Sequence, residues 1–247
     1  MITGASSGIG RGLAHELSRR GAKLGLIARR ATALDEIFNG PQGNSVHAIP
    51  VVADVRDTEA VRSAAQRISS ELGPIDVLIA NAGIGATTHT VDLIPARVED
   101  VVATNVLGAV NSIAAVTPEM VARGNGQLVA ISSLAAYRGL PKSAAYCASK
   151  AALSSFMESV RLDLIGTGVD VTIIHPGFIK TPLTEGREAR MPFLMELDDA
   201  VDKIIAAIEK KRKSYAFPWQ LASIVRLGMV MPNFLYDWIA ARNSFRE

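Results

Sequence analysis

The stretch Thr3-Gly4-Ala5-Ser6-Ser7-Gly8-Ile9-Gly10 constrains this chain more than any other. Glycines in the pattern Gly4-x-x-x-Gly8-x-Gly10 let the backbone turn tightly, let N–H groups approach an anion, and let the next helix pack closely. Leu13, Ala14 and Leu17 follow at helical spacing and the pattern stops at Gly21, so a helix lies directly behind the turn. A turn of this kind needs a strand in front of it, yet only Met1 and Ile2 precede Thr3. Either the true start lies upstream, or the strand is clipped to two residues. The first explanation is favoured, because a missing central strand would expose its neighbours' edges. A real two-residue strand predicts reduced stability.

The rest of the chain alternates between short apolar runs and helical patterns. Strands are expected over residues 23–28, 48–53, 77–80, 127–131, 169–174 and 214–217. Helices are expected over 32–38, 58–72, 98–122, 144–165 and 198–210. The strands are continuously apolar, which marks a parallel sheet covered on both faces. No Pro- or Ser-rich linker and no internal repeat interrupts the series, so a single α/β domain with a doubly wound parallel sheet is expected. Residues 218–247 differ in texture and read as an apolar extension of that domain, which spans 1–217.

Composition limits the partners. Hydrophobic residues make up 49% and charged residues 20%, enough for a large core. Basic and acidic side chains number 26 and 24, a net charge of +2, too balanced for a polyanion such as nucleic acid. Any anion site is therefore local. The single cysteine, Cys147, forms no internal disulfide, which fits a reducing cytoplasm. Its position next to Tyr146 on a helix turns it in another direction, so no nucleophilic role is expected. His15, His47 and His89 have no metal-ligand spacing and His175 reads as a packing residue, so no metal site is expected. No charged-then-apolar leader opens the chain and no uncharged apolar run reaches roughly 18 residues, so neither secretion nor a membrane span is expected.

Glycine turn, strand and helix together have the geometry of dinucleotide binding, with the diphosphate at the helix N-terminus. The end of the second strand reads the ribose. An acidic residue there would accept from a 2′-hydroxyl, whereas arginine pairs with a 2′-phosphate. The strand ends Ala28-Arg29-Arg30, which predicts NADP(H) over NAD(H), with Arg29 on the phosphate and Arg30 stacking on adenine.

The sharpest signal is Ser132-Ser133 followed by Tyr146-Cys147-Ala148-Ser149-Lys150. Tyr146 and Lys150 share one face of a helix. A tyrosine pKa of about 10 is too high for acid/base work at neutral pH, and a neighbouring ammonium lowers it. Ser133, at the end of the preceding strand, is placed to hydrogen-bond a carbonyl oxygen.

These motifs, with Asn81-Ala82-Gly83, Asn105 and Pro176-Gly177, resemble the classical short-chain dehydrogenase/reductase family over nearly all the chain up to Pro218. The resemblance implies a Rossmann-like, three-layer α/β/α fold. It implies that Tyr146 exchanges a proton with the carbonyl or alcohol oxygen while NADP(H) exchanges hydride with carbon. Lys150 would hold the nicotinamide ribose and tune Tyr146, Ser133 would orient the carbonyl, and Asn105 would hold a water linking Lys150 to solvent. The cofactor contacts implied are Gly4, Ser6, Ser7, Gly8, Ile9 and Gly10; Asp54, Val55, Asn81, Ala82 and Gly83; and Pro176, Gly177, Ile179 and Thr181. A homodimer or homotetramer is implied as well, through helices 98–122 and 144–165.

Two features bear on substrate and partners. The expected selectivity segment, 183–197, mixes Met191, Phe193, Leu194 and Met195 with Arg187 and Arg190, so apolar carbonyl compounds and acidic ones both remain open. The tail after Phe217 carries Trp219, Leu221, Ile224, Leu227, Phe234 and Trp238 among other large apolar groups. A cleft lid or subunit interface ranks ahead of shallow membrane contact, for which the basic run Lys210-Lys211-Arg212-Lys213 gives some support. The functional readings are an NADP(H)-dependent carbonyl reductase or alcohol dehydrogenase, a non-catalytic NADP(H)-sensing or scaffolding module, and an epimerase or dehydratase. The joint presence of Asn105, Ser133, Tyr146 and Lys150 favours the first.

Overall fold

In the computed structural model, which describes residues 1–39, 48–85, 87, 89–185 and 191–242, the glycine turn follows a strand of two residues, β1 (Ile2–Thr3). This short strand lies at the centre of the sheet. It pairs in parallel with β2 (Leu24–Ala28) at Leu26 and Ile27, and with β4 (Val77–Ala80) at Ile79. Met1 extends the ladder: its amino group donates to the Val77 carbonyl at 2.7 Å, and its carbonyl accepts from Ile79 N–H at 2.8 Å. The edges that a missing strand would expose are therefore bridged.

The other strands are β3 (Ala48–Val52), β5 (Gly126–Ile131), β6 (Val169–Pro176) and β7 (Ser214–Phe217), in the parallel order β3-β2-β1-β4-β5-β6-β7. The chain winds outward from β1 to β3 and then crosses back to β4. That reversal opens a crevice beyond the carboxyl ends of β1 and β4.

Helices cover both faces, which is why the inner strands are mostly apolar. Neighbouring residues serve opposite cores: Ile27, Leu128 and Ile173 face one, Leu26, Val129 and Ile174 the other. The first core is closed by α3 (Thr58–Leu72), α5 (Gly108–Arg123) and α6 (Ala144–Asp163); the second by α1 (Gly8–Arg19), α2 (Ala31–Asn39) and α7 (Leu197–Glu209). The result is the expected three-layer, Rossmann-like α/β/α domain. Edge strand β3 alone alternates in burial, and it tolerates Pro50 for the same reason.

The helix expected over 98–122 is divided. Between α4 (Pro95–Val102) and α5 lies one π-turn, Ala103–Leu107. Hydrophobic spacing does not reveal such an insertion, because the apolar face resumes beyond it. The whole run Pro95–Arg123 is long and apolar enough to cross a bilayer, yet its Ala109, Ile113, Val116 and Met120 are buried against the sheet. It is a core helix by its packing. After β7 come α8 (Trp219–Val230) and α9 (Asn233–Arg242), which make up the apolar extension expected after residue 217.

Candidate active site

The glycine turn is held by contacts that only glycine permits. A Cβ on Gly10 would sit 2.3 Å from the Gly4 carbonyl oxygen, so α1 lies directly on the turn. Gly4 has φ of +66° and Gly8 of +51°, in the left-handed region. Asn81 fastens the turn to β4, its Nδ2 donating to the carbonyls of Thr3 at 3.0 Å and Gly4 at 3.2 Å. Thr3 Oγ1 in return accepts from the N–H groups of Asn81 and Ala82. The amide of Asn81 is thus occupied in shaping the turn, a role its sequence position did not disclose. Ser7 makes no side-chain cap on α1, so the first-turn N–H groups remain available to an anion.

At the end of β2, Arg29 and Arg30 are exposed beside this turn. Arg30 Nη2 donates to Ser6 Oγ at 3.3 Å. Arg29 Nη1 stands 4.0 Å from Asp54 Oδ2, but Asp54 is held chiefly by Arg56, 2.7 Å from the same oxygen. The hydrogen bonds from Arg56 keep the Asp54 carboxyl below the usual carboxylate range. Arg29 therefore keeps only a weak contact with an already neutralised carboxylate.

Tyr146 and Lys150 project from the first turns of α6. Lys150 is buried, with Nζ 5.8 Å from the Tyr146 ring centre, and Nζ donates to the Ile131 carbonyl at 2.8 Å. Burial pulls its ammonium down from 10.5 to about 8. Ser133 Oγ accepts from Ala135 N–H at 3.1 Å, which directs the hydroxyl proton elsewhere. The neighbouring Ser132, to which the sequence assigns no role, donates to the Lys150 carbonyl at 3.1 Å and lies 2.7 Å from Ser154 Oγ, bracing α6 against β5.

Asn105 occupies the π-turn and is fully buried. Its Oδ1 accepts from Ile84 N–H at 2.8 Å, while Nδ2 donates to the Ile84 carbonyl and to Ser149 Oγ, each at 3.0 Å. Ser149 Oγ donates onward to the Tyr146 carbonyl at 2.8 Å. Beside it, a Cβ on Gly83 would lie 3.3 Å from Asn105 Oδ1 and 3.4 Å from Lys150 Nζ. The missing side chain leaves room between amide and ammonium.

A cavity of about 790 Å³ gathers the site at the crevice. Its wall includes Gly4, Ser6, Ser7, Gly8 and Ile9 from the turn, and Arg29, Arg30, Asp54 and Val55 from the strand ends. Asn81, Ala82 and Gly83 continue it toward Ser133, Tyr146 and Lys150, and Pro176, Gly177, Ile179 and Thr181 close the far side. Gly10 and Asn105 stand behind this wall. The region past Tyr146 is apolar, formed by Leu134, Phe178, Leu221, Ile224 and Val225. The underside of α8 and α9 roofs it, while Leu227, Phe234 and Trp238 are exposed on those helices. Arg187 and Arg190 of the selectivity segment, like His47, lie outside the described residues.

Residues 1–192 match the family model described as short chain dehydrogenase. An uncharacterized oxidoreductase from Myxococcus xanthus is 46% identical over 98% of this chain and 96% of its own length. A ketoacyl reductase from Nostoc is 31% identical, covering 85% of this chain and 75% of its own. A short chain dehydrogenase from Burkholderia cenocepacia, solved in complex with NADP, superposes with a TM-score of 0.82 at 27% identity, covering 97% of this chain and 95% of that one. With glycine turn, tyrosine, lysine and serine meeting in one crevice of one parallel sheet, the chain belongs to the classical short-chain dehydrogenase/reductase family.

Proposed function

We propose that the protein is an NADP(H)-dependent oxidoreductase that interconverts an apolar ketone or aldehyde with its alcohol. The observation that carries this reading is the position of Tyr146, Lys150 and Ser133 on one cavity that also contains the uncapped end of α1 and two arginines.

The residues present fit a dinucleotide phosphate. The N–H groups at the start of α1 suit its diphosphate, and Arg29 and Arg30 suit a phosphate on the adenosine ribose. The bound cofactor supplies or takes up hydride at the carbonyl carbon. Ser133 donates its hydroxyl proton to the carbonyl oxygen and fixes its orientation. Tyr146 protonates that oxygen in reduction and removes the proton in oxidation, work that the Lys150 ammonium eases by favouring the phenolate. The space left by Gly83 suits a water bridging Asn105 Oδ1 and Lys150 Nζ, through which the proton is replaced.

The apolar far end of the cavity supports an extended, lipophilic substrate, and the similarity to a ketoacyl reductase adds 3-oxoacyl thioesters to the candidates. Exposed Leu107 and Val121 on the Pro95–Arg123 run and exposed Leu162 on α6 support pairing of two copies through those helices. NADPH consumption against a panel of ketones, aldehydes, steroids and 3-oxoacyl thioesters tests the reading. Turnover of apolar members is expected. NADPH binding with no turnover on any member would contradict it.

A further inference from the structure

The Arg138 guanidinium joins the cavity roof to the catalytic wall. Arg138 lies on the segment between Ser133 and Tyr146 and lines the cavity. Its Nη1 donates to the carbonyls of Gly228 and, at 3.0 Å, of Met231; its Nη2 donates to Asn233 Oδ1 at 2.9 Å. Gly228 lies in the last turn of α8, Met231 directly follows that helix and Asn233 opens α9. A cation at the end of α8 is favoured by the helix dipole; it gives the Met231 carbonyl a donor and shares the Gly228 carbonyl with the Met231 N–H. The same guanidinium lies 3.8 Å from the centre of the Tyr236 ring. Tyr236 in turn donates from its hydroxyl to the Gly139 carbonyl at 2.6 Å, so the two segments are tied in both directions.

The rest of the roof has less to hold it. Among the described residues, Leu221 and Ala222 of α8 join Leu134 in a small buried cluster with Tyr137, Phe178 and Val225 packed against it, and the Arg226 guanidinium lies 6.0 Å from the centre of the Tyr137 ring. Beyond Val225 the contacts just described fix the corner between the helices, and that corner brings Gly228, Tyr236 and Ile239 onto the cavity.

We infer that Arg138, with Tyr236, is a specificity-determining latch: it fixes the apolar roof over the far end of the substrate and so favours long apolar carbonyl compounds over short ones. The inference rests on the carbonyl reductase reading of the site. Where contacts to a part of the substrate remote from the carbonyl are made equally in ground state and transition state, losing them raises KM and leaves kcat alone. A small carbonyl compound does not reach the roof and is indifferent to it.

Two readouts separate the latch from its consequence. Hydrogen exchange of Arg138→Ala should rise across 219–242 and stay unchanged in α1 and β2; unchanged exchange in 219–242 would overturn the latch. With NADPH and a series of straight-chain aldehydes, the same variant should raise KM about tenfold for the longest members, with kcat and the NADPH Kd unchanged, and leave short members unaffected. An equal change for all lengths, or none, would overturn the role in specificity. Tyr236→Phe keeps the ring under the guanidinium and loses only the bond to Gly139, so it should shift the same way by less. If Arg138→Ala does not fold, Tyr236→Phe and Arg138→Lys, whose single ammonium cannot span both helix ends, decide by the same two readouts. Absence of turnover in the unaltered protein would refute the carbonyl reductase reading, and exchange would still decide the latch.

Discussion

Lys150 Nζ donates to the Ile131 carbonyl at 2.8 Å from a buried position. An ammonium held there without a carboxylate destabilises the fold, which is why its pKa falls from 10.5 to about 8. Between those values the unfolded chain binds the extra proton, so stability of the cofactor-free protein should rise from pH 8 to pH 10.5. Replacing Lys150 with Met should stabilise the protein by about 1–3 kcal/mol at pH 7 in urea unfolding, and abolish turnover. A variant less stable than the parent would show that the ammonium is better solvated than its burial indicates.

His175 gives a second pH dependence of opposite position. Burial, aided by the Arg226 charge, lowers it from 6.5 to about 4. The folded protein thus resists protonation that the unfolded chain accepts, and stability should fall as pH drops from 6.5 to 4, by about 3 kcal/mol in total. His175→Gln should flatten that part of the profile in denaturant melts. The same slope in both proteins would assign acid sensitivity to other groups.

Gly10→Ala should be severe. Its Cβ would meet the Gly4 oxygen at 2.3 Å and Asn81 Nδ2 at 2.5 Å, both of which are fixed by the turn. A loss of about 3 kcal/mol or more, with loss of cofactor binding, is expected. Gly21→Ala provides the contrast: its φ is +81°, but nothing lies within 4 Å, so a cost of about 1 kcal/mol from backbone strain alone is expected. Thermal melts and NADPH titration distinguish the two.

Arg29→Asp should weaken NADPH binding about 100-fold and NADH binding by less than threefold, because only the former carries the ribose phosphate. Equal losses for both would remove Arg29 from phosphate recognition.

The sheet was legible because its inner strands are short apolar runs buried on both faces, as at Leu128, Val129 and Ala130. Helix α3 was legible from its helical spacing over 58–72, and the structure adds the Asp57 carboxylate that caps it. The π-turn around Asn105 was not, because one extra residue per turn leaves the apolar pattern intact on either side. Contacts between distant segments were equally hidden: Asn81 reaching Thr3 across 78 positions, and Arg138 reaching Met231 across 93. The tail could be read as too apolar for solvent. That its underside forms the cavity roof depends on where β7 ends, which composition does not encode.

The central claim is that Tyr146 transfers the proton. Steady-state kinetics of Tyr146→Phe on the best carbonyl substrate, with NADPH Kd measured beside it, tests this most directly. A fall in kcat of about 10²–10⁴-fold at unchanged Kd is predicted. Activity within a few-fold of the parent would contradict it and move proton transfer to another group on the cavity wall.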